Sequence, residues 1–528
     1  MRTHCKNRPG AARIVLAVTM YSSALLGAEP VMVDLQNLPR VGAVDERYQS
    51  FNIEMVEVTG GRFWAPYAKQ SPAAAGEAVK LATPALDPAA FRYRPPIDLS
   101  RPRLRQLAAA LGPAYLRVSG TWANSTYFQD SPAPTGLPPG FGGVLTRAAW
   151  SGVVDFARAV NARIVTSFAI SQGVRDSQGV WTPDQARKFV EFTEAAGGSI
   201  AAAEFFNEPT FAAMGGAPPG YDAAAYGRDF AVFRSFARKS APRMSILGPG
   251  SIGEATSLAA GHGLLRTEDM LRASGPGLDA FSYHFYGAVS KRCAALGTAQ
   301  GAALATTAAA ALSEDWLSRT DRDEAFYAVL RDRFEPGKPL WLTETAEAAC
   351  GGNPWAASFI DSFRYLDQLG RLARRGVQVV AHNTLAASDY GLLDEDTLEP
   401  RPNYWAAWLW RKTMGTTVLD AGKSPAASVH LYAHCLRGRP GGVALLAINV
   451  DSESPHGLAI PMAGERYTLT ARNLLDTSID LNGSPLRLAA HDELPELTAR
   501  PAPAGRVELP PASITFLAFP NAGNAGCR

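Results

Sequence analysis

Between residues 49 and 412 eight short apolar segments recur, each followed by a polar loop and an Ala/Leu-rich stretch of helical periodicity. This alternation restricts the fold more than any other feature of the chain. The segments fall at 52–58, 115–118, 163–167, 203–206, 245–247, 280–284, 340–344 and 377–383, with helical patterns such as 102–110, 148–160 and 183–196 between them. Joining a strand to a parallel neighbour takes a connection of about a dozen residues or more, which a helix supplies. Repeated strand–helix units therefore predict a parallel sheet, and eight of them predict a closed (β/α)8 barrel of the α/β class.

A chain of 528 residues is too long for one ordinary core, so a second domain is expected. Past about Trp410 the helical periodicity stops. Alternating segments at 429–433, 443–450, 467–471 and 513–519, separated by Gly, Pro, Asn and Asp, predict a β-sandwich. Residues 31–44 are expected to add a strand to it. The resulting division is 1–28 signal peptide, 29–48 N-terminal strand of the sandwich, 49–412 catalytic barrel and 413–528 sandwich. The Pro/Gly-rich loop 131–143 is expected to form part of a cleft wall.

The N-terminus carries Arg2, Lys6, Arg8 and Arg13 ahead of an apolar stretch from Ile14 to Leu26 and a small pair, Gly27-Ala28, which is a secretory signal pattern. Its removal takes away four basic and no acidic groups, moving the formal net charge from +2 to −2. Such a balance gives no global attraction to nucleic acid or other polyanions. No later apolar run is long enough to span a membrane, so the mature protein is expected to be secreted or periplasmic, free of the membrane, and a monomer. Cys293, Cys350, Cys435 and Cys527 remain after signal removal. In an exported protein they suit two disulfides, with three connectivities open. No Cys/His cluster suggests a metal, and no motif calls for a cofactor. The sequons at Asn124 and Asn482 are short enough to arise by chance.

The chemistry is concentrated at two strand ends. An apolar segment runs into Asn207-Glu208-Pro209, and three barrel strands later another runs into Thr343-Glu344-Thr345. Barrel enzymes assemble their sites on the C-terminal edge of the strands. Two carboxylates facing each other there are what glycosidic cleavage needs, one to protonate the departing oxygen and one to attack the anomeric carbon. Glu204, early in its predicted strand, and Glu347, in the following loop, are the local competitors.

Several segments together identify a family: Gln49-Ser50-Phe51-Asn52-Ile53-Glu54, Tyr115-Leu116-Arg117-Val118-Ser119-Gly120-Thr121, Phe206-Asn207-Glu208-Pro209, Tyr283-His284-Phe285-Tyr286, Trp341-Leu342-Thr343-Glu344-Thr345, and Asp389-Tyr390-Gly391-Leu392-Leu393 with Arg401-Pro402-Asn403-Tyr404-Trp405. Over about residues 45–450 the chain resembles glycoside hydrolase family 79, the heparanase and β-glucuronidase family. The resemblance implies Glu208 as acid/base, Glu344 as nucleophile and Asn207 as donor to the sugar 2-hydroxyl. It implies site roles for His284 and Tyr286, sugar-hydroxyl contacts for Glu54 and Thr121, and a uronate carboxylate held by a Gly-rich loop (Cys350, Gly351, Gly352) and Tyr390. It also implies a Cys435–Cys527 bridge, and we expect a second, Cys293–Cys350, across the barrel mouth. This chain has Ala349-Cys350 where heparanase has Tyr-Gly. Trp64, Trp122 and Trp355 are candidate stacking platforms.

The expected function is thus a retaining exo-β-glucuronidase acting on terminal β-linked glucuronic acid or its 4-O-methyl form, with carboxyl groups about 5–5.5 Å apart. The alternatives are an endo-acting, heparanase-like enzyme, a clan relative such as an arabinofuranosidase or xylosidase, and a non-catalytic saccharide-binding protein.

Overall fold

The computed structural model describes residues 1, 3, 31–69, 88–133, 136–255, 264–296 and 306–528; apart from residues 1 and 3, the segment read as a signal peptide lies outside the described residues. Eight parallel strands close a barrel in chain order: β1 Gln49–Glu54, β2 Ala114–Ser119, β3 Ala162–Ser167, β4 Ile200–Glu204, β5 Ser245–Ser251, β6 Ala280–Tyr286, β7 Leu340–Ala346 and β8 Val379–His382, with β8 paired to β1. β1, β2, β6 and β7 are buried along their whole length. A strand covered by the barrel interior on one side and helices on the other reads as a continuous apolar run rather than an alternating one. The helix Arg147–Ala159 shows how the outer layer is specified. Thr146 caps it by accepting the Ala149 N–H, and Trp150, Val153, Val154 and Ala157, spaced for one helical face, are buried against the barrel.

Two strand boundaries differ from expectation, and both bear on the site. The first strand, expected over 52–58, stops at Glu54, because Met55–Thr59 turns into a short helix whose Glu57 side chain accepts the Glu54 N–H at 2.9 Å. A Glu three residues past a helix start is the reciprocal half of a capping box, and here it outweighs the apolar alternation. The fourth strand, expected over 203–206, is Ile200–Glu204, so Glu204 is its last residue and Glu208 sits four residues beyond.

The C-terminal strands are β9 Met414–Leu419, β10 Val429–Leu436, β11 Val443–Asn449, β12 His456–Ile460, β13 Gly464–Thr470, β14 Gly505–Leu509 and β15 Ser513–Phe519. The large sheet runs Arg40–Ala43, β9, β10, β11, β15, β13 and on to two short strands; Val31–Met32, β12 and β14 form the small one. Residues 31–44 thus supply two short strands, one to each sheet. Leu431, Leu445, Leu458, Ile460, Val507 and Leu517 fill the space between the sheets. On its other face the large sheet turns Tyr432, Leu446, Ile448 and Phe516 toward Trp408 and Trp410 of the barrel. Cys435 and Cys527 are bonded with Cα atoms 5.3 Å apart, and Asn524 donates to the carbonyls of Leu35 and Leu38, which ties the C-terminus to the first sandwich segment. At the barrel–sandwich junction Asp367, on the helix Phe359–Arg374, receives His430 Nδ1 and the Tyr432 hydroxyl at 2.6 Å each and Arg371 Nε at 2.5 Å. In the loop expected as a cleft wall, Thr126–Gln129 pairs with Gly143–Thr146; residues 134–135 lie outside the described set. Among the described residues no helix is long and apolar enough to cross a membrane.

Candidate active site

Glu344, within β7, has both carboxyl oxygens engaged: the Tyr286 hydroxyl donates to Oε1 at 2.8 Å and Arg117 Nη1 to Oε2 at 2.7 Å. Glu208 is held differently. Its backbone is in the left-handed region (φ 48, ψ 62), which for a residue with a side chain costs on the order of 1 kcal/mol or more. The chain is kept there by its neighbours, since Asn124 Nδ2 donates to the Asn207 carbonyl at 2.9 Å and Asn124 Oδ1 accepts the Asn207 N–H at 2.8 Å. The same contacts bury the first sequon, and Asn482 of the second donates its amide to the Arg466 and Thr498 carbonyls, so neither is a surface acceptor in the fold. The Glu208 side chain is 18% exposed against 7% for Glu344, so Glu208 is the carboxyl that faces the opening. One oxygen of each carboxyl and a ring nitrogen of His284 lie within 4.8 Å of one another. Burial, and then the charge of Glu344, raises Glu208 above the usual carboxylate range.

Arg117 of β2 stands behind both. It is 1% exposed and holds Glu204 through Nε at 3.2 Å and Nη2 at 2.8 Å, Asn207 Oδ1 through Nη2 at 2.8 Å, and Glu344 through Nη1. Its Nη2 also lies 3.1 Å from His284 Nε2, and His284 Nδ1 lies 3.2 Å from Glu208 Oε1. The buried His284 has its proton affinity lowered by burial and raised more strongly by Glu344 and its other carboxylate neighbours. Nδ1 of the ring faces Glu208, and Nε2 faces Arg117 Nη2 and, at 3.6 Å, Glu204 Oε1. Glu204 is fully buried, yet Arg117 and His284 hold it well below the carboxylate range against the cost of burial. Glu208, His284 and Glu344 are close enough to share a cation. The Arg117 guanidinium, 2.7 Å from Glu344, already supplies a positive charge to this cluster.

The floor is built on Glu54, Asn383, Tyr286 and Tyr390. Asn383 Nδ2 is 3.0 Å from Glu54 Oε1, 3.0 Å from the Tyr286 hydroxyl and 3.4 Å from the Tyr390 hydroxyl. Glu54 lies against Gly120 (φ 93), where a Cβ would fall 1.5 Å from Oε2; only glycine fits. Buried beside Glu344, Glu54 is raised well above the carboxylate range. Glu54 Oε2 and Asn383 Oδ1 have no partner. Thr121 opens the short helix Thr121–Ser125 at the end of β2, beside this floor but in no hydrogen bond to it among those observed.

The Gly-rich loop after β7 has a different construction from the one its sequence suggests. Cys350, Gly351 and Gly352 all have positive φ, and a Cβ on Gly351 would strike Ser388 and Trp64, so the glycines serve the loop's own packing. The Gly352 N–H is already donated to the Ala348 carbonyl at 3.2 Å, which removes it from the donors open to a ligand. Glu347 staples the loop by accepting from Asn353 N at 2.7 Å and Nδ2 at 2.9 Å; burial, then Asp361, pushes it up to about 8. Cys350 is bonded to Cys293. Trp355 is packed on Trp316 in the core and offers no stacking face, whereas Trp64 and Trp122 remain half-buried.

No family model matches the chain. Among curated proteins it is 27% identical to heparanase from Mus musculus over 81% of this chain and 88% of that protein, and 25% identical to heparanase-like protein 1 from Arabidopsis thaliana over 82% and 86%. It is 31% identical to the hyaluronoglucuronidase of Hirudo nipponia over 38% of this chain and 44% of the leech protein. Over most of its length the chain is similar to the heparanases and heparanase-like proteins. It is a glycoside hydrolase. Among solved structures, the family 51 arabinofuranosidase of Xanthomonas axonopodis pv. citri shares the fold, with a TM-score of 0.58 at 16% identity over 93% of this chain and 99% of that one.

In this heparanase-like hydrolase the structure gathers Glu208, Glu344, Asn207, His284, Tyr286, Glu54 and Tyr390 at one end of the barrel, with the Cys350–Gly352 loop against Tyr390. Reading the sequence missed Arg117 and Asn383 as site residues, and weighed Glu204 only as a competitor for the catalytic carboxylates. Arg117 and Glu204 carried a signal: a charge inside an apolar strand must be paired once the strand is buried.

Proposed function

We propose that this enzyme releases terminal β-linked glucuronic acid, plain or 4-O-methylated, by double displacement, with Glu344 as nucleophile and Glu208 as acid/base. The carrying observation is that the two carboxyls face each other across the barrel mouth with an oxygen of each within 4.8 Å of the other, an approach in keeping with a carboxyl separation of roughly 5–5.5 Å in a retaining pair. The environments of the two carboxyls support their roles. Glu344 receives a hydroxyl on one oxygen and a guanidinium on the other, which hold it in place for attack; Glu208 is buried next to it, which favours the protonated form. Glu208 protonates the glycosidic oxygen as Glu344 attacks the anomeric carbon, and the C–O bond to the leaving group breaks as a glycosyl ester forms. Glu208, now a carboxylate, takes a proton from water as that water displaces Glu344, giving a product of retained configuration. Asn207, whose Oδ1 is taken by Arg117, keeps its Nδ2 for the sugar 2-hydroxyl.

The uronate reading draws on the heparanase and hyaluronoglucuronidase relatives and on the Tyr390 hydroxyl standing over the floor; the N–H groups of Cys350 and Gly351 are its partners for the carboxylate. Exo action is favoured because Arg292, a cation of the same end of the barrel, is consumed by Asp389 at 2.9 Å and by Tyr67 beneath it. The two disulfides suit an exported enzyme. Proton NMR of the first-formed sugar from an aryl β-glucuronide tests the mechanism: the β anomer is expected, and an α anomer formed first refutes it. In the same assay Glu208→Ala should keep slow turnover of a good leaving group and be rescued by azide. A wild type that prefers the glucoside, xyloside or arabinofuranoside would refute the substrate.

A further inference from the structure

The fully buried carboxylate that ends β4 has no part in the double displacement, yet it is the most heavily bonded carboxylate of the site. Glu204 Oε2 receives Arg117 Nε and Nη2; Oε1 receives Ser282 Oγ at 2.8 Å and Thr343 Oγ1 at 2.6 Å and lies 3.6 Å from His284 Nε2. Backbone is shaped to admit it, since at Gly250 (φ 73) a Cβ would sit 3.0 Å from Oε1. The donors come from β2, β6 and β7, so Glu204 is the point where the strands carrying Arg117, His284 and Glu344 are tied together.

We propose that Glu204 is a positioning residue of the catalytic centre: its buried charge fixes Arg117 so that Nη1 addresses Glu344 and Nη2 addresses Asn207, while Glu204 and the guanidinium together flank His284 with Nδ1 facing Glu208. The inference rests on the reading of Glu208 and Glu344 given above. One guanidinium cannot serve two carboxylates, Asn207 and an imidazole unless it is held in a single orientation, and the fork of bonds to Glu204 does this. The charge of Glu204 also matters. The ionisable groups around it are Arg117 on β2, His284 on β6, Glu344 on β7, Glu208 beyond β4, and Tyr226 on the helix Ala223–Ser240, with Glu54 across the floor. Glu204 cancels the one guanidinium in this set. Without it, the unbalanced cation draws protons off Glu208 and Glu344 more readily, so both become stronger acids.

The experiment is the pH profile of kcat/KM on an aryl β-glucuronide for wild type, Glu204→Gln and Glu204→Asp. Glutamine keeps the shape and loses the charge; aspartate keeps the charge and loses the reach. In Glu204→Gln both limbs of the bell are expected to move to lower pH by about half a unit or more, with kcat falling on the order of a hundredfold and KM within about threefold. In Glu204→Asp the limbs stay where they are in wild type while kcat falls. Equal losses in both variants with limbs unmoved would reduce Glu204 to a structural residue and overturn the proposal. If Glu204→Gln does not fold, the double variant Ser282→Ala/Thr343→Val, which removes two neutral donors and leaves the charge, must lower kcat without moving the limbs; a shift there would equally overturn it. Unmoved limbs alongside an inactive Glu344→Gln would defeat this proposal and leave the roles of the two glutamates standing.

Discussion

Two clusters of buried charge in this molecule use the same ingredients and leave them in opposite states. At the barrel–sandwich junction Asp367 is saturated by His430, Tyr432 and Arg371, Arg371 goes on to Glu314 and Asp321, and no polar atom of Asp367, His430, Tyr432 or Arg371 lacks a partner. At the mouth Arg117 and Glu204 are equally well bonded, but Glu54 Oε2 and Asn383 Oδ1 are unpaired, Glu208 is held in a left-handed backbone, and its carboxyl faces the opening. A buried polar group left unpaired costs about 1–3 kcal/mol, so a fold keeps one only where something else is gained. The junction is polar for adhesion; the mouth is polar for reaction.

If that contrast is right, mutations at the two clusters should fail in different currencies. The largest effect is expected for Glu344→Gln, which should lower kcat by a factor on the order of 10⁴ or more with thermal stability unchanged; substantial residual turnover in a mass-checked sample would break the contrast at the mouth. Opening the Cys435–Cys527 bridge with serine at both positions removes a closure of 92 residues in sequence separation and should cost up to about 4 kcal/mol in denaturant unfolding, with kcat within about twofold. Asp367→Asn should cost about 3 kcal/mol, again with little change in kcat, because it leaves Arg371 and His430 partly uncompensated. A loss of activity in either of these two variants at temperatures where it is folded would show that the two regions are coupled.

A smaller effect sharpens the account of the mouth. Tyr390→Phe removes one hydroxyl and should lower kcat/KM on a glucuronide by a factor on the order of ten while sparing any residual glucoside activity; equal losses on both would mean that Tyr390 supports the floor and does not read the carboxylate. The smallest effect belongs to the junction. Burial lowers the proton affinity of His430 but Asp367 raises it more, so the folded ring titrates above its ordinary value. That stabilisation is fully present below the ordinary imidazole range and is lost as pH rises through the folded-state value. Melting temperatures of wild type and His430→Gln should therefore differ by a few degrees at pH 6 and converge toward alkaline pH; a difference that grows with pH would reverse the assignment.

The same physics explains what could be seen in the sequence. The eight barrel strands were legible because strands buried on two sides are written as uninterrupted apolar runs, and Glu208, Glu344, His284 and Tyr286 were legible because they stand at or near the ends of such runs. Arg117 was overlooked and Glu204 was weighed only as a competing carboxylate, although each puts a charge in an apolar strand, since each is explained only by the other, 87 positions away. The Gly-rich loop was half legible. Its glycines do mark positive φ, but whether an N–H faces a ligand or the Ala348 carbonyl depends on how the loop folds back, which has no local signature. Glu54 was legible as a residue at the end of the first strand, but the strand was run on to 58 because the cap that Glu57 makes on the Glu54 N–H was not recognised.

Both amide atoms of Asn124 are spent on the backbone of Asn207, and this bears on how active enzyme can be produced. Asn124-Ser125-Thr126 is an acceptor sequence for an N-linked glycan, attached at the same Nδ2 nitrogen that the fold buries. In a yeast or animal secretory pathway the nascent chain meets the transferase before β2 and β4 have come together. Molecules modified there lose the clamp beneath Glu208. In such a host the specific activity of the product is expected to fall as sugar occupancy at Asn124 rises, a loss that a bacterial periplasm adding no glycan there would avoid.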